Sequence, residues 1–198
     1  MKRLMLIFVG VLATACGGGL NSFNGTVAGN SFKPQSAVLL NLNVPVSGSS
    51  GGPQVPTIVL ADTANLGSQL KANIATKNET LFVASFLASS GGSLVAVTSG
   101  GYPVYNPSPT SNSTPPSGKV SVTFFDKTDS NCQPGANGKA LTGTSGAIQL
   151  NSVSAQPGGH ASGNFDIYFN SDHVTGDFSA DYCDVQLISA SGSASTCQ

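Results

Sequence analysis

Gly163-Asn164-Phe165-Asp166-Ile167-Tyr168-Phe169 and, thirteen residues on, Gly176-Asp177-Phe178-Ser179-Ala180-Asp181-Tyr182 are one pattern written twice. Each copy has a glycine, a phenylalanine two places later and an aromatic ring four places beyond that. At the two-residue period of an extended chain, all three fall on one face. Polar residues dominate the intervening positions, as in a strand with one wet side. Asn170-Ser171-Asp172 supplies turn residues between the copies. The pair is therefore expected to be a β-hairpin with paired aromatic rings on its buried face, a pattern of packing rather than of a binding site.

Working outward, Lys119 to Phe125 and Ala147 to Val153 have the same character and extend the hairpin to a meander of residues 119–125, 147–153, 161–169 and 173–182. Upstream, Phe23 to Phe32 reads as two short strands around Gly29-Asn30. Ala37 to Val46 alternates at Val38, Leu40, Leu42, Val44 and Val46, which predicts a strand with one buried face. Residues 47–56 read as a Gly/Ser/Pro loop and Thr57 to Ala61 as a short buried strand. Leu66, Leu70 and Ile74 sit at helical spacing and predict one helix over residues 63–76, capped by Asp62 or Thr63 and weakened by Gly67. Strands are expected again at 80–88 and 94–98, separated by a turn at 89–93. Residues 101–105 read as an edge strand, because Pro103 has no N–H for a ladder. The resulting expectation is an all-β chain, an antiparallel β-sandwich or flattened barrel with one short helix. Its domain spans residues 23–198 and carries a Pro/Ser-rich surface loop at 106–118.

The opening is of another kind. Met1-Lys2-Arg3 is a basic start, Leu4 to Leu12 an apolar run, and Ala13-Thr14-Ala15 small residues before Cys16. That run is too short to span a bilayer and has the plan of a secretory signal peptide at residues 1–15. It resembles the signal peptides of bacterial lipoproteins, whose lipobox ends in a cysteine that is acylated and becomes the mature N-terminus. The match departs from the usual pattern in that Leu12 lies one place further out. Ala13-Thr14-Ala15 also suits ordinary signal peptidase, and both readings cut before Cys16. The resemblance implies acylation of Cys16 and a flexible tether over residues 16–22. With Gly17 rather than aspartate after the cysteine, it also implies transfer to the outer membrane. The alternative is an unacylated secreted or periplasmic protein.

Composition agrees with an exported β-protein. Charged residues make up only 9% of the chain, so hydroxyls and amides carry its solubility. Loss of Lys2 and Arg3 with the signal moves the formal net charge from −1 to −3, and no Lys or Arg follows Lys139. A phosphate backbone would find no basic patch, so nucleic acid is not an expected partner. Asp166, Asp172, Asp177, Asp181 and Asp184 cluster without a Ca²⁺-loop spacing and read as solvent-facing positions.

If Cys16 is acylated, Cys132, Cys183 and Cys197 remain, enough for one disulfide and one thiol. If it is not, four cysteines could pair evenly. A bridge between Cys183 and Cys197 would pin the Ser/Ala/Gly tail and is the expected pairing, with Cys132 the alternative partner.

No compact catalytic motif emerges. Gly48-Ser49-Ser50-Gly51-Gly52 satisfies G-x-S-x-G, but Pro53 and Pro56 stand where a nucleophile elbow needs its helix. His160 and His173 fall at a turn or strand start, with no metal-binding spacing around them, and read as exposed structural histidines. No cofactor and no metal is expected. Asn24, Asn78 and Asn112 begin N-x-[ST] sequons that read as polar turns.

Gly25 to Phe32 and Gly163 to Cys183 together resemble a set of uncharacterised myxobacterial-type envelope lipoproteins. These open on G-T-V-x-G-x-x-F after the tether and close on G-x-F-x-x-x-[FY] … V-x-G-x-F-x-A-x-[FY]-C. The resemblance covers about a sixth of the chain and implies a β-rich envelope domain without a known activity. The expected role is a non-catalytic binding or structural domain, held to the membrane by its lipid and meeting a protein, glycan or lipid partner through its loops. The alternative is a secreted hydrolase drawing its acid or base from His160, His173 and the aspartates.

Overall fold

The computed structural model describes residues 21–43, 54–106, 117–133, 140–185 and 196–198. The expected signal peptide, Cys16, most of the expected tether, Ser49, Asn112 and most of the 106–118 loop lie outside the described residues. In chain order the elements are β1 (Thr26–Val27), β2 (Asn30–Ser31), β3 (Ser36–Asn43), β4 (Gln54–Ala61), α1 (Leu66–Lys71), β5 (Ile74–Ala75), β6 (Thr80–Ser90) and β7 (Ser93–Leu94). They continue with β8 (Gly100–Pro103), β9 (Gly118–Lys127), β10 (Leu141–Thr142), β11 (Ser145–Val153), β12 (His160–Phe169), β13 (Asp172–Tyr182) and β14 (Thr196–Cys197). The fold is all-β with one short helix, and its main sheet curls into a flattened barrel.

Neighbours in that sheet run β10-β9-β6-β4-β3-β13-β12-β11-β8, with β7 added beside β6. The two edges meet. Val104, just past β8, bridges Ser121 of β9, and the Tyr105 N–H donates to the Ser121 carbonyl at 2.7 Å. β10 lies on β9 through Leu141↔Phe125 and leads directly into β11, so β8 and β10 together fill the seam. A second narrow junction lies opposite, where β13 and β3 run parallel through only Asp181↔Val38 and Tyr182↔Leu39. Elsewhere the β13 edge is covered by the start of the described chain. Asn24 bridges Thr175, and the Ser22 N–H donates to the Asp177 carbonyl at 3.0 Å.

The repeated pattern forms the β12–β13 hairpin with a two-residue turn at Asn170-Ser171, Asn170 adopting φ 58°. Its register refines the expectation. The aromatic rings do not pair with one another: Phe165 faces Gly176 and Phe178 faces Gly163. Each ring lies across the glycine of the opposite strand, and a Cβ on either glycine would collide with that ring. Glycine costs a strand packing surface, and a cross-strand aromatic restores it. Inside the barrel Phe165 stacks on Phe82, with ring centroids 4.9 Å apart, and Phe23 packs edge-on to Phe32 at 4.9 Å.

On the far side, β3 and β4 are buried on both faces. Ala37, Leu39, Ile58 and Leu60 point into the barrel, while Val38, Leu40, Val59 and Ala61 point outward under Leu66 of α1 and Cys183. The expected single buried face of residues 37–46 is therefore corrected: a second layer covers the outside, and Val44 and Val46 lie beyond the described residues. Pro56 also belongs to β4 rather than to a loop. The β4–β6 ladder ends at Thr57, so its missing N–H leaves no bond unmade there.

The helix is shorter than expected, Leu66–Lys71 instead of 63–76, and neither expected cap is used. Asp62 Oδ1 accepts the Thr80 N–H at 2.8 Å, and the Thr63 hydroxyl donates to the Glu79 carboxylate. Asn73 at φ 53° ends the helix, and Ile74–Ala75 pairs in parallel with Thr196–Cys197. Two smaller corrections follow local geometry. The first hairpin turns on Ala28-Gly29, both at positive φ, rather than on Gly29-Asn30; only Leu94 of the expected 94–98 strand joins the sheet, together with Ser93 from the expected turn.

Candidate functional site

With glycines, Phe165, Ile167, Phe178 and Val174 turned inward, the alternate residues of β12 and β13 form the outer surface of the hairpin. Register places His160 opposite Asp181, Ser162 opposite Ser179 and Tyr168 opposite His173. His160 Nδ1 lies 2.9 Å from Asp181 Oδ1, and its Nε2 lies 3.4 Å from Ser179 Oγ. His173 Nε2 lies 2.8 Å from Asp166 Oδ1, and the His173 ring stacks on Tyr168 with centroids 4.4 Å apart. Both imidazoles are open to solvent, their side chains 40% and 45% exposed, so water screens these pairs and each contributes at most about 1 kcal/mol.

The order carboxylate, imidazole, hydroxyl in Asp181–His160–Ser179 is that of a nucleophilic hydrolase. At 3.4 Å the hydroxyl stands at the long limit of a hydrogen bond to the base. A hydrolase also needs N–H donors aimed at the developing oxyanion. The Ser179 N–H, the donor nearest such a centre, is engaged with Asn21 Oδ1 at 3.0 Å. A serine mid-strand also lacks the sharp turn that brings a second amide to the same point. The triad order is present, and among the described residues the amide of the serine itself is already engaged.

Two of the remaining aspartates of the cluster bind the first described segment of the chain. Asp172 Oδ2 accepts the Ala28 N–H at 2.7 Å, and Asp177 Oδ2 accepts the Ser22 hydroxyl at 3.1 Å. Asp184 lies beside Tyr182, whose phenol is raised by burial first and by the Asp184 charge second. Among the described residues no three His, Cys, Asp or Glu side chains gather to hold a metal ion.

The disulfide joins Cys132 to Cys197, with Cα atoms 5.7 Å apart, which overturns the expected Cys183–Cys197 pairing in favour of the alternative. The reason is the loop at 129–133. Asp129 Oδ1 accepts the N–H groups of Asn131 at 2.7 Å and Gln133 at 2.8 Å, and Cys132 turns at φ 60° toward β5, where β14 brings Cys197. Backbone N–H groups led by that of Gln133 also hold the Asp129 carboxyl below its ordinary range. Cys183, by contrast, is 1% exposed beneath α1, its Sγ 3.7 Å from the Gly67 carbonyl.

Two residues escaped the sequence reading. Ser179 lies within the repeated strand pattern but in no catalytic motif, although the register of a two-residue turn would have placed it beside His160. Glu79, noted only within an N-x-[ST] triplet, is buried beside β9. The Thr128 hydroxyl accepts the Glu79 N–H at 2.8 Å, and burial raises the carboxyl above its ordinary value despite the Thr63 hydroxyl. Of the sequon asparagines, Asn24 lies against β13 and Asn78 takes φ 54° before β6.

No protein-family model, no curated protein and no solved structure matches this chain.

Proposed function

We propose that this protein is a lipoprotein of the bacterial outer membrane, acylated on Cys16, whose β-barrel is a non-catalytic binding or structural domain of the envelope. The observation that carries the reading is the cysteine inventory. An even count of four was the main sequence argument for an unacylated Cys16. Cys132 and Cys197 bond to each other, and Cys183 lies in the apolar layer under α1 with Leu40 and Leu66. A thiol so buried cannot meet a cysteine on the tether without opening that layer. This supports acylation of Cys16, in keeping with the lipobox-like residues ahead of it. A disulfide also suits an oxidising compartment.

Labelled palmitate is expected to enter the wild-type protein and not Cys16→Ser. An unmodified mature N-terminus at Cys16 would leave ordinary secretion as the answer. A hydrolase is the second reading, favoured by the Asp181–His160–Ser179 alignment. It requires that a fluorophosphonate label the wild type and not Ser179→Ala; with the Ser179 N–H engaged by Asn21, no labelling of either is expected.

A further inference from the structure

The registers align one end of every long strand. Tyr182 of β13 pairs with Leu39, Leu39 with Ile58, and Ile58 with Ala84 of β6. Beyond that row β6 runs on to the Gly91-Gly92 turn and β7. In the other direction His160, Val153, Gly100 and Gly118 mark the same end of β12, β11, β8 and β9. The N-terminal segment leaves the barrel toward this end. Its residues descend in number as β13 ascends, Asn24 beside Thr175, Ser22 beside Asp177 and Asn21 beside Ser179.

Two further features separate this end from the other. Leu94 and Val95, 38% and 49% exposed, follow the Gly91-Gly92 turn of the β6–β7 hairpin, beside Ser89 and Ala88, and they are two of the three large exposed hydrophobic side chains among the described residues. No charged residue or histidine occurs from Thr80 to Gly118 or from Ala140 to Gly159, so the tip and the 154–159 turn are neutral. At the rim stand Lys119, whose ammonium donates to the Ser99 carbonyl at 2.5 Å, the His160–Asp181 pair and Asp184. The opposite end carries Lys33, Asp62, Lys77, Glu79, Asp126, Lys127, Asp129 and Asp172.

We infer that the neutral end of the barrel seats on the bilayer surface that holds the lipid anchor, with Leu94 and Val95 entering the headgroup boundary as a second point of attachment. The inference rests on acylation of Cys16. From Cys16 to Asn21 the chain reaches at most about 18 Å, less than the length of a barrel strand of ten residues or so, which keeps the end toward which it leaves close to the lipid. Apolar side chains can enter the boundary between headgroups and acyl chains, while the charged groups at the rim stay on its headgroup side.

The chain has no tryptophan, so an introduced one reports alone. The acylated protein carrying Leu94→Trp, and separately Tyr168→Trp near the opposite end of β12, would be reconstituted in phosphatidylcholine vesicles whose acyl chains are brominated. Bromine is expected to quench the fluorophore at position 94 severalfold more than at 168. Quenching that is equal, or greater at 168, in protein whose N-terminal peptide carries the acyl mass would overturn the seating alone. An N-terminal peptide without that mass would overturn the lipoprotein reading on which the seating rests. Leu94 and Tyr168 are both exposed, and an unchanged urea midpoint for each variant confirms that the barrel is intact.

Discussion

The β3–β4 side of the barrel and the β12–β13 hairpin have the same backbone pairing and opposite exteriors. Along β12 burial alternates, inward residues hidden and outward ones wet; along β4 every residue after Gln54 is buried. The difference lies in what covers the sheet. α1 and Cys183 lie over β3–β4, and the tail held by Cys197 pairs with β5 next to α1, whereas water covers β12–β13. One exterior is a second core, and the other is available for contact.

The sharpest way to break this comparison is to place a new charge at an outward position of each side. Val38→Asp puts an unpaired carboxyl under α1 and is expected to lower stability by more than about 3 kcal/mol or prevent folding. Gln149→Asp, on the wet exterior of β11 where it pairs with Asn164 of the hairpin, is expected to stay within about 0.5 kcal/mol. Urea midpoints read both, and equal losses would show that the two exteriors are not different. The covering layer itself is tested by the double variant Cys132→Ser/Cys197→Ser. Removing a crosslink across 65 residues is expected to cost about 4 kcal/mol in the chain-entropy account. Hydrogen exchange should rise first in β5 and α1 while β12–β13 keeps its protection.

A smaller effect comes from Glu79. Its carboxyl is raised in the folded state, so the protonated form is the one folding favours. That contribution is fully present below the ordinary value of 4.5 and is lost as pH rises through the raised folded value. Glu79→Gln is therefore expected to raise the urea midpoint at pH 7 and to lose this advantage toward pH 4. A difference between variant and wild type that does not change with pH would show that burial does not govern this group.

The same contrast explains what could be read from the sequence. β12 and β13 were legible because one wet side imposes strict alternation. In β3 the alternation of Val38, Leu40 and Leu42 marks the outer apolar face, and the apolar Ala37 and Leu39 between them are the sign of a second, which alternation alone does not reveal. Ile74 fits a helical period, yet its partner is Thr196, a contact too distant in sequence for any local pattern. The disulfide was hidden for a related reason, since it depends on an Asp129 turn meeting β5. His160 was singled out, but Ser179 becomes its neighbour only once the hairpin register is known.

The covering of β13 by residues 21–24 also has a mechanical meaning. A pull on the chain ahead of Asn21, directed along β13 toward its Tyr182 end, would load the Ser22–Asp177, Asn24–Thr175 and Asn21–Ser179 hydrogen bonds together in shear rather than one at a time. Force arriving from ahead of Asn21 would thus be spread along a strand of the barrel before any single bond had to yield.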